Sequence, residues 1–202
     1  MTMFYPNGKP YLKGKPKQGI GLNRQKSVTY GNRGMTLEED INISNQYYLT
    51  NDIAVIHKKP TPVQIVNVDY PKRSAAKITE AYFKKASTTD YNGLYKGKYI
   101  DFEAKETRHR SSLPLKNFHG HQVAHMKNVQ KHSGICFIIV KFSSDGDIFL
   151  LDAGILVEYW DLQHQGGRKS IPKAEVVRRG HSIPSGYLPR IDYLKVLNDV
   201  YL

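Results

Sequence analysis

The chain has 202 residues, 40% of them apolar, with a formal net charge of +12 and a pI near 9.6. A chain of this length and composition forms one domain with a real core, and its sequence contains no run of 18 apolar residues, which excludes a membrane-spanning helix. No apolar stretch typical of a secretory signal opens the chain, and the single Cys136 lies in an apolar run, so we expect a cytoplasmic protein with a buried, inert thiol. The positive charge favours a phosphate-bearing polymer as partner, and an anionic membrane is the lesser alternative.

The N-terminal end of the chain is strongly basic. Residues 1–33 contain seven Lys or Arg and no acid, and prolines and glycines interrupt them. This composition predicts a flexible basic arm that contacts DNA, and a plain disordered leader has the same composition. We expect residues 34–202 to form a single domain.

Two elements are predicted before a long basic segment. Residues 35–48 are typical of a helix, because Thr36 can cap it and acids occupy its first turn. The apolar residues 53–56 predict a short buried strand. A helix followed at once by a buried strand is consistent with an α/β domain.

The segment 58–85 carries seven Lys or Arg against two acids. Alternation over residues 64–70 predicts a strand, and residues 75–85 are expected to form a short helix. If the flanking strands are sheet neighbours, the segment is an insertion of more than twenty residues, and insertions that long are usually functional or disordered. Its end, Tyr82-Phe83-Lys84-Lys85, places two rings beside two cations, which favours stacking on bases or wedging into a branch point; packing of the rings onto the body is the alternative.

The stretch 87–106 carries the candidate chemistry. A two-residue turn at Lys96-Gly97 places Asp90 directly opposite Glu103 and Thr88 opposite Lys105, so that these four side chains share one face of a hairpin. Two carboxylates about 5 Å apart repel each other, and a Mg²⁺ ion between them turns that repulsion into a binding site. This arrangement is typical of metal-dependent cleavage of a phosphodiester.

Alternatives remain open for this hairpin. A turn at Asn92-Gly93, which is also a strong hairpin signal, or a β-bulge would separate the two acids. The four side chains can also form a solvated polar face in which the charges are mixed by chance. The metal hypothesis therefore depends on which glycine makes the turn.

The second half of the chain predicts helices around a mixed sheet, and so an α/β fold. The elements expected are a helix over 117–131, a central strand over 135–142 that is buried on both faces, a short strand over 148–151, a helix or strand over 153–160, and an amphipathic helix over 191–202.

The predicted helix 117–131 carries polar residues that could bind a metal ion. His121 and His125 have the spacing of a zinc pair, but neither a following Glu nor a cysteine pair accompanies them, so solvated or DNA-facing histidines are favoured. The amide oxygen of Gln122 could complete the shell of a hard metal ion.

Five motifs occur in a recognisable order: Asn-Arg-Gly-Met at 32–35 leading to Leu37-Glu38, Ile-His-Lys-Lys-Pro-Thr-Pro at 56–62, Ser-Thr-Thr-Asp-Tyr-Asn-Gly at 87–93, Asp-Phe-Glu-Ala-Lys at 101–105, and Asn-Phe-His through Gln at 117–122. A further motif lies at 186–192. Over nearly its whole length the chain resembles the RecU Holliday-junction resolvases of Gram-positive bacteria.

The resemblance implies a type II restriction-endonuclease-like core with a mixed β-sheet, a homodimer, and a stalk formed by about residues 58–85. It implies Mg²⁺-dependent, symmetric nicking of four-way DNA junctions in recombination, repair and chromosome segregation, with Mn²⁺ able to substitute and one or two ions per subunit. It also suggests modulation of the RecA recombinase.

The family's metal ligands map onto Thr88, Asp90, Glu103 and Gln122, and its transition-state-stabilising lysine maps onto Lys105. Glu38 fits an acid on the first helix that often supports the site in the wider nuclease superfamily. We expect DNA contacts from the basic arm and the stalk, through Arg33, Lys58, Lys59, Lys72, Arg73, Tyr82, Phe83, Lys84 and Lys85.

Two other functions fit the charge. An architectural DNA-binding protein needs only the basic arm and the net charge, and it would show no Mg²⁺-dependent strand scission. A restriction-type nuclease that reads duplex sequence would cut linear duplex in preference to a junction.

Overall fold

The computed structural model describes residues 36–84 and 87–202, apart from the side chain of Arg73. The arm predicted for residues 1–33 lies outside the described residues, as do Arg33 and Lys85. The helices in the described part are α1 (Leu37–Thr50), α2 (Gly120–Lys131), α3 (Ala153–Gln163), α4 (Lys173–Arg179) and α5 (Tyr193–Tyr201). The strands are β1 (Val55–Lys58), β2 (Val63–Asp69), β3 (Lys77–Phe83), β4 (Tyr91–Tyr95), β5 (Lys98–Thr107), β6 (Ser112–Pro114), β7 (Ile135–Phe142), β8 (Asp147–Asp152), β9 (Ser170–Pro172) and β10 (His181–Ser182).

A six-stranded mixed sheet forms the centre of the domain, in the order β1-β4-β5-β7-β8-β10. β5 and β7 are parallel, and α2 lies in the connection between them, while the other neighbouring pairs are antiparallel. The prediction of an α/β fold with a mixed sheet flanked by helices is confirmed. None of the helices in the described ranges combines the length and apolar character needed to cross a bilayer.

The turn of the β4–β5 hairpin lies at Lys96-Gly97, as predicted. Both residues have positive φ, 48° and 73°, as a two-residue hairpin turn of the favoured hand requires. Tyr91 pairs with Phe102 and Tyr95 with Lys98, which fixes the register that brings Asp90 to Glu103.

The alternative turn at Asn92-Gly93 is wrong, because both residues lie inside β4. Gly93 is needed there for a different reason. A Cβ atom at this position would lie 2.1 Å from the carbonyl oxygen of Val55 on the neighbouring strand β1. The glycine therefore permits close approach of two strand backbones.

The sheet separates two apolar cores. On one face, α1 and α5 pack over residues that include Phe102, whose ring stacks between those of Tyr91 and Phe137 at centroid distances of 4.8 Å on each side. On the other face, α2 and α3 pack over residues that include Ile138 and Cys136, which is a free, buried cysteine as expected. The stacked rings hold β4, β5 and β7 together directly behind the acids of the hairpin.

The predicted insertion is a two-stranded antiparallel ribbon, which we call the stalk (residues 63–83). It leaves the sheet after β1 and returns before β4, and these two strands are neighbours. The helix expected over 75–85 is wrong: a short 3-10 turn at Arg73–Ala75 leads into β3, whose β-branched and aromatic residues pair with β2. At about 3.3 Å per residue, its seven-residue strands extend roughly 20 Å.

Candidate active site

The hairpin brings Asp90, Glu103 and Lys105 together. Asp90 lies one residue before β4, and its backbone N–H donates a hydrogen bond to Oε2 of Glu103 at 3.1 Å. The Nζ atom of Lys105 donates to the other carboxylate oxygen, Oε1, at 2.6 Å. Both oxygens of Glu103 are therefore oriented by groups that belong to the same predicted site.

Glu103 is 0% exposed to solvent, so the hypothesis of a solvated polar face is wrong for this residue. Burial raises the pKa of the Glu103 carboxyl from 4.5 to about 7. The cation of Lys105 opposes that rise in pKa, whereas the neighbouring side-chain carboxyl of Asp90 and its negative charge add to it. The ionised carboxylate lacks compensation for part of its lost hydration, and a bound cation would supply that compensation.

The remaining predicted ligands occupy two other positions. Thr88 lies on the segment that returns from the stalk, beside Asp90, and both line one cleft. Gln122 is buried in the first turn of α2, where its Oε1 accepts the N–H of His119 at 3.0 Å. An amide oxygen has two lone pairs, so this hydrogen bond leaves acceptor capacity for a ligand.

Glu38 lies at the entrance to the site. It is in the first turn of α1, forms an ion pair with Lys58, and lines the same cleft as Thr88 and Asp90. The cleft has a volume of about 380 Å³ and is bounded by the two chain segments that lead into and out of the stalk, residues 58–62 and 87–90.

The chemistry of these donors fits a hard divalent cation. Thr88, Asp90, Glu103 and Gln122 offer only oxygen atoms, which Mg²⁺ prefers. Within residues 36–84 and 87–202, no group of three or more His, Cys, Asp or Glu side chains could hold a metal ion. A metal ion at this hairpin would therefore take oxygens other than those of the two acids, and Thr88, Gln122 and water molecules are the candidate donors.

The predicted DNA-binding aromatics are exposed. Tyr82 is 62% and Phe83 is 84% exposed, so the alternative that these rings pack onto the body is wrong. Phe83 pairs with Val63, which places Tyr82 and Phe83 at the base of the stalk, whereas Lys72 lies near the tip. The side chain of Arg73 is outside the described part.

The other predicted cations differ in their surroundings. The backbone N–H of Lys84 bonds to the carbonyl of Pro62 at 2.9 Å and closes the base of the stalk. Lys58 is directed at Glu38 at the mouth of the cleft, whereas Lys59 is directed inward, at Asp101. The side chain of Lys59 is thus already occupied by a buried carboxylate.

Asp101 is the residue of this site that the sequence analysis missed. It is 0% exposed, lies two residues before Glu103 on the same face of β5, and bonds to Lys59, Thr89 and Tyr99. Alternation along β5 puts Asp101 on the same face as Glu103, and this signal in the sequence could have found it. A buried carboxylate with several partners, however, cannot be told from an exposed one by spacing alone.

The raised pKa of Glu103 has a consequence for stability. A carboxyl whose pKa is raised in the folded state contributes stability below about pH 4.5, and that contribution is lost as the pH rises through about 7. In metal-free protein, we expect the free energy of unfolding of wild type minus that of Glu103→Gln to fall by about 3 kcal/mol between about pH 4.5 and about pH 8. Chemical denaturation of both proteins across this range measures it. A difference that stays constant with pH would contradict the prediction.

Comparisons with known proteins agree on one family. The family model described as "Recombination protein U" matches residues 32–199. A curated relative from Geobacillus kaustophilus, named Holliday junction resolvase RecU, is 61% identical over 100% of this chain and 98% of its own length. One of the same name from Bacillus cereus is 57% identical over 100% of this chain and 99% of its own length. Among solved structures, the Holliday junction resolvase Hjc of Archaeoglobus fulgidus is similar over 70% of this chain and 94% of its own chain. The TM-score is 0.39 and the sequence identity is 8%, and a likeness this distant does not assign a fold.

Proposed function

The chain belongs to the RecU family, and we propose from that premise that it is a Holliday junction resolvase, an endonuclease that hydrolyses phosphodiester bonds at four-way DNA junctions with the help of a divalent metal ion. The observation that carries the proposal is the cluster of Asp90, Glu103 and Lys105, held together by hydrogen bonds of 3.1 and 2.6 Å beside an open cleft. Relatives with 57–61% identity carry the resolvase name.

Asp90 and Glu103 would hold Mg²⁺, or Mn²⁺ in its place, with Thr88 and Gln122 supplying further oxygens and one or two ions per subunit. When bound, such an ion polarises the scissile phosphate and lowers the pKa of a bound water. Burial of Glu103 and the hydrogen bond from the backbone N–H of Asp90 hold the Glu103 carboxylate in position before DNA arrives. Preorganisation of this kind avoids a reorganisation cost during the reaction.

Lys105 would orient the attacking water or neutralise the pentacovalent phosphate. Its ammonium group lies 2.6 Å from Glu103 and 5.7 Å from the centre of the Phe118 ring, so the side chain is confined to the site. Fixed positive charge at this position stabilises negative charge that develops in the transition state.

Replacing Lys105 by methionine should lower the rate of junction cleavage by about 10²- to 10³-fold, because the apolar stem is kept and the charge is lost. Single-turnover cleavage of a labelled junction measures this rate. The matched control is Lys98→Met, an exposed lysine on the same strand and the opposite face, which should cut at the wild-type rate. Equal rates for wild type and Lys105→Met would contradict the role.

The stalk supplies the contacts that would favour a junction over a linear duplex. The side chains that the structure describes in the stalk are exposed, apart from the half-buried Val68, and they include the cations Lys72 and Lys77. Tyr82 and Phe83 are exposed at the base of the stalk. Rings and cations in this arrangement suit unpaired or splayed bases at the centre of a junction.

Symmetric cutting of two opposed strands requires two sites, so we propose a homodimer whose two-fold axis coincides with that of the junction. The reaction would serve homologous recombination, DNA repair and chromosome segregation. The resemblance to the RecU family also supports modulation of the RecA recombinase by this chain.

A cleavage assay tests the proposed function. A four-way junction, labelled on each strand in turn, is incubated with the protein in the presence and absence of Mg²⁺, alongside a linear duplex of the same sequence. We expect paired nicks at symmetric positions of the junction only when Mg²⁺ is present. Binding without scission would favour an architectural DNA-binding protein, and preferred cutting of the duplex would favour a restriction-type nuclease.

A further inference from the structure

Asp101 is a buried carboxylate at the point where several chain segments meet. Its Oδ2 atom accepts from Nζ of Lys59 at 2.9 Å and from the hydroxyl of Tyr99 at 2.9 Å, and it lies 3.1 Å from Nε2 of His125. Its Oδ1 atom accepts the hydroxyl of Thr89. A carboxylate with this many partners can remain buried because its charge is paired and hydrogen-bonded.

Two partners of Asp101 lie on the two chain segments that connect the ends of the stalk to the sheet. Lys59 lies on the segment that leads out to the stalk, and Thr89 lies on the segment that returns from it. The two ends also bond to each other, since Nζ of Lys59 donates to the Thr89 hydroxyl at 3.1 Å and the Lys59 backbone N–H donates to the carbonyl of Asp90 at 2.7 Å. Asp101 thus fastens the base of the stalk to β5.

Asp101 or one of its partners lies within three residues of every candidate metal ligand. Thr89 stands between Thr88 and Asp90, and Asp101 is two residues from Glu103 on the same face of β5. His125 lies on α2 one turn after Gln122, so the two side chains project from the same side of that helix. A shift of the base of the stalk would therefore be transmitted through one carboxylate to all of the ligands.

We propose that Asp101 is a positioning residue that couples the orientation of the stalk to the geometry of the metal ligands. The coupling rests on the proposed function, and it provides a route by which a junction seated on the stalk aligns the site for cutting. Asp101 touches neither the DNA nor the metal in this scheme. Residues that orient ligands in this way typically change affinity for the metal or activity by about 10- to 100-fold when they are replaced.

The direct test measures the stalk itself. Spin labels are attached to cysteines introduced at Lys72, near the tip of the stalk, and at Lys195, which is exposed on α5; the native Cys136 is buried. Pulsed dipolar spectroscopy then gives the distribution of distances between the labels. We expect a narrow distribution for wild type and a clearly broader one for Asp101→Asn, because the neutral side chain no longer pairs with Lys59.

The second readout is catalytic. Asp101→Asn should lower kcat for junction cleavage by about 10- to 100-fold, and the KM for the junction should change much less, because the stalk's DNA-facing side chains are untouched. Thr89→Val removes one hydroxyl from the returning segment without changing any charge. Like Asp101→Asn, Thr89→Val should broaden the distance distribution and lower kcat. It can replace Asp101→Asn in both measurements if that variant folds poorly.

Asp152→Asn is the matched control. The carboxylate of Asp152 also accepts several hydrogen bonds, from Gly154, Gln130 and Tyr201, but it lies on β8, away from the stalk. The Asp152→Asn variant should leave both the distance distribution of the spin labels and kcat at wild-type values. An unchanged distance distribution in Asp101→Asn would overturn the coupling, whether or not the wild-type protein cuts junctions. Failure of wild type to cut, with broadened distances in the variant, would instead count against the proposed function alone.

Discussion

Replacing Glu103 by glutamine should abolish junction cleavage, with a loss in rate of about 10³-fold or more, and should leave junction binding intact. Glutamine keeps the size of this fully buried side chain but removes the negative charge that would hold the metal ion. Single-turnover cleavage measures the first effect. Binding of the uncut junction, measured by fluorescence anisotropy in Ca²⁺, measures the second.

The control for this variant is the same change three residues along the strand. Glu106 lies on β5 but on the opposite face, where it accepts hydrogen bonds from Leu37 and Ser143. Glu106→Gln should cut at a rate close to that of wild type. Cleavage by Glu103→Gln within tenfold of wild type would show that the site has been assigned to the wrong residues.

Shortening the stalk should have the largest effect on substrate choice. Residues 65–81 can be replaced by Asn-Gly between Gln64 and Tyr82, since these two residues already pair and Asn-Gly forms a two-residue hairpin turn. We expect junction affinity to fall about tenfold or more, and the slope of log K against log salt to become shallower by up to about 3, because the lost cations Lys72, Arg73 and Lys77 can no longer contact phosphates. Titrations at several salt concentrations measure both quantities.

The fold should survive this deletion, because the removed residues contribute nothing to either apolar core. Thermal unfolding therefore serves as the check on folding. The double variant Lys72→Gln/Lys77→Gln removes two cations but keeps the full-length stalk, so it separates the effect of charge from the effect of shape. Its control is Lys131→Gln/Lys195→Gln, which removes two exposed cations outside the stalk. Unchanged preference for junction over duplex after the deletion would rule out the stalk as the source of specificity.

The site hairpin could be predicted from the sequence because its register depends on local rules. A Lys-Gly turn, strict alternation of side chains and two acids at the right separation determine which residues face each other. The alternative turn at Asn92-Gly93 was wrong because of a contact between residues that are distant in the sequence. The position of Gly93 is set by the approach of β1, which is more than thirty residues away along the chain.

Two other features depended on tertiary contacts that spacing does not reveal. Residues 75–85 contain good helix formers, but pairing with β2 makes most of the segment a strand, and tertiary pairing of this kind commonly overrides local propensity. Asp101 and Lys59 are ordinary charged residues in the sequence. The ion pair between the buried Asp101 and the half-buried Lys59 follows only from the way in which the segments at both ends of the stalk fold onto β5.

Diffraction from crystals soaked in Mn²⁺ would show whether Asp90 and Glu103 hold a metal ion, because the anomalous signal locates the ion independently of the protein atoms. We expect a peak within coordination distance of both Asp90 and Glu103, and no such peak in Glu103→Gln. A wild-type crystal that shows these carboxylates without a peak at saturating Mn²⁺ would contradict this expectation.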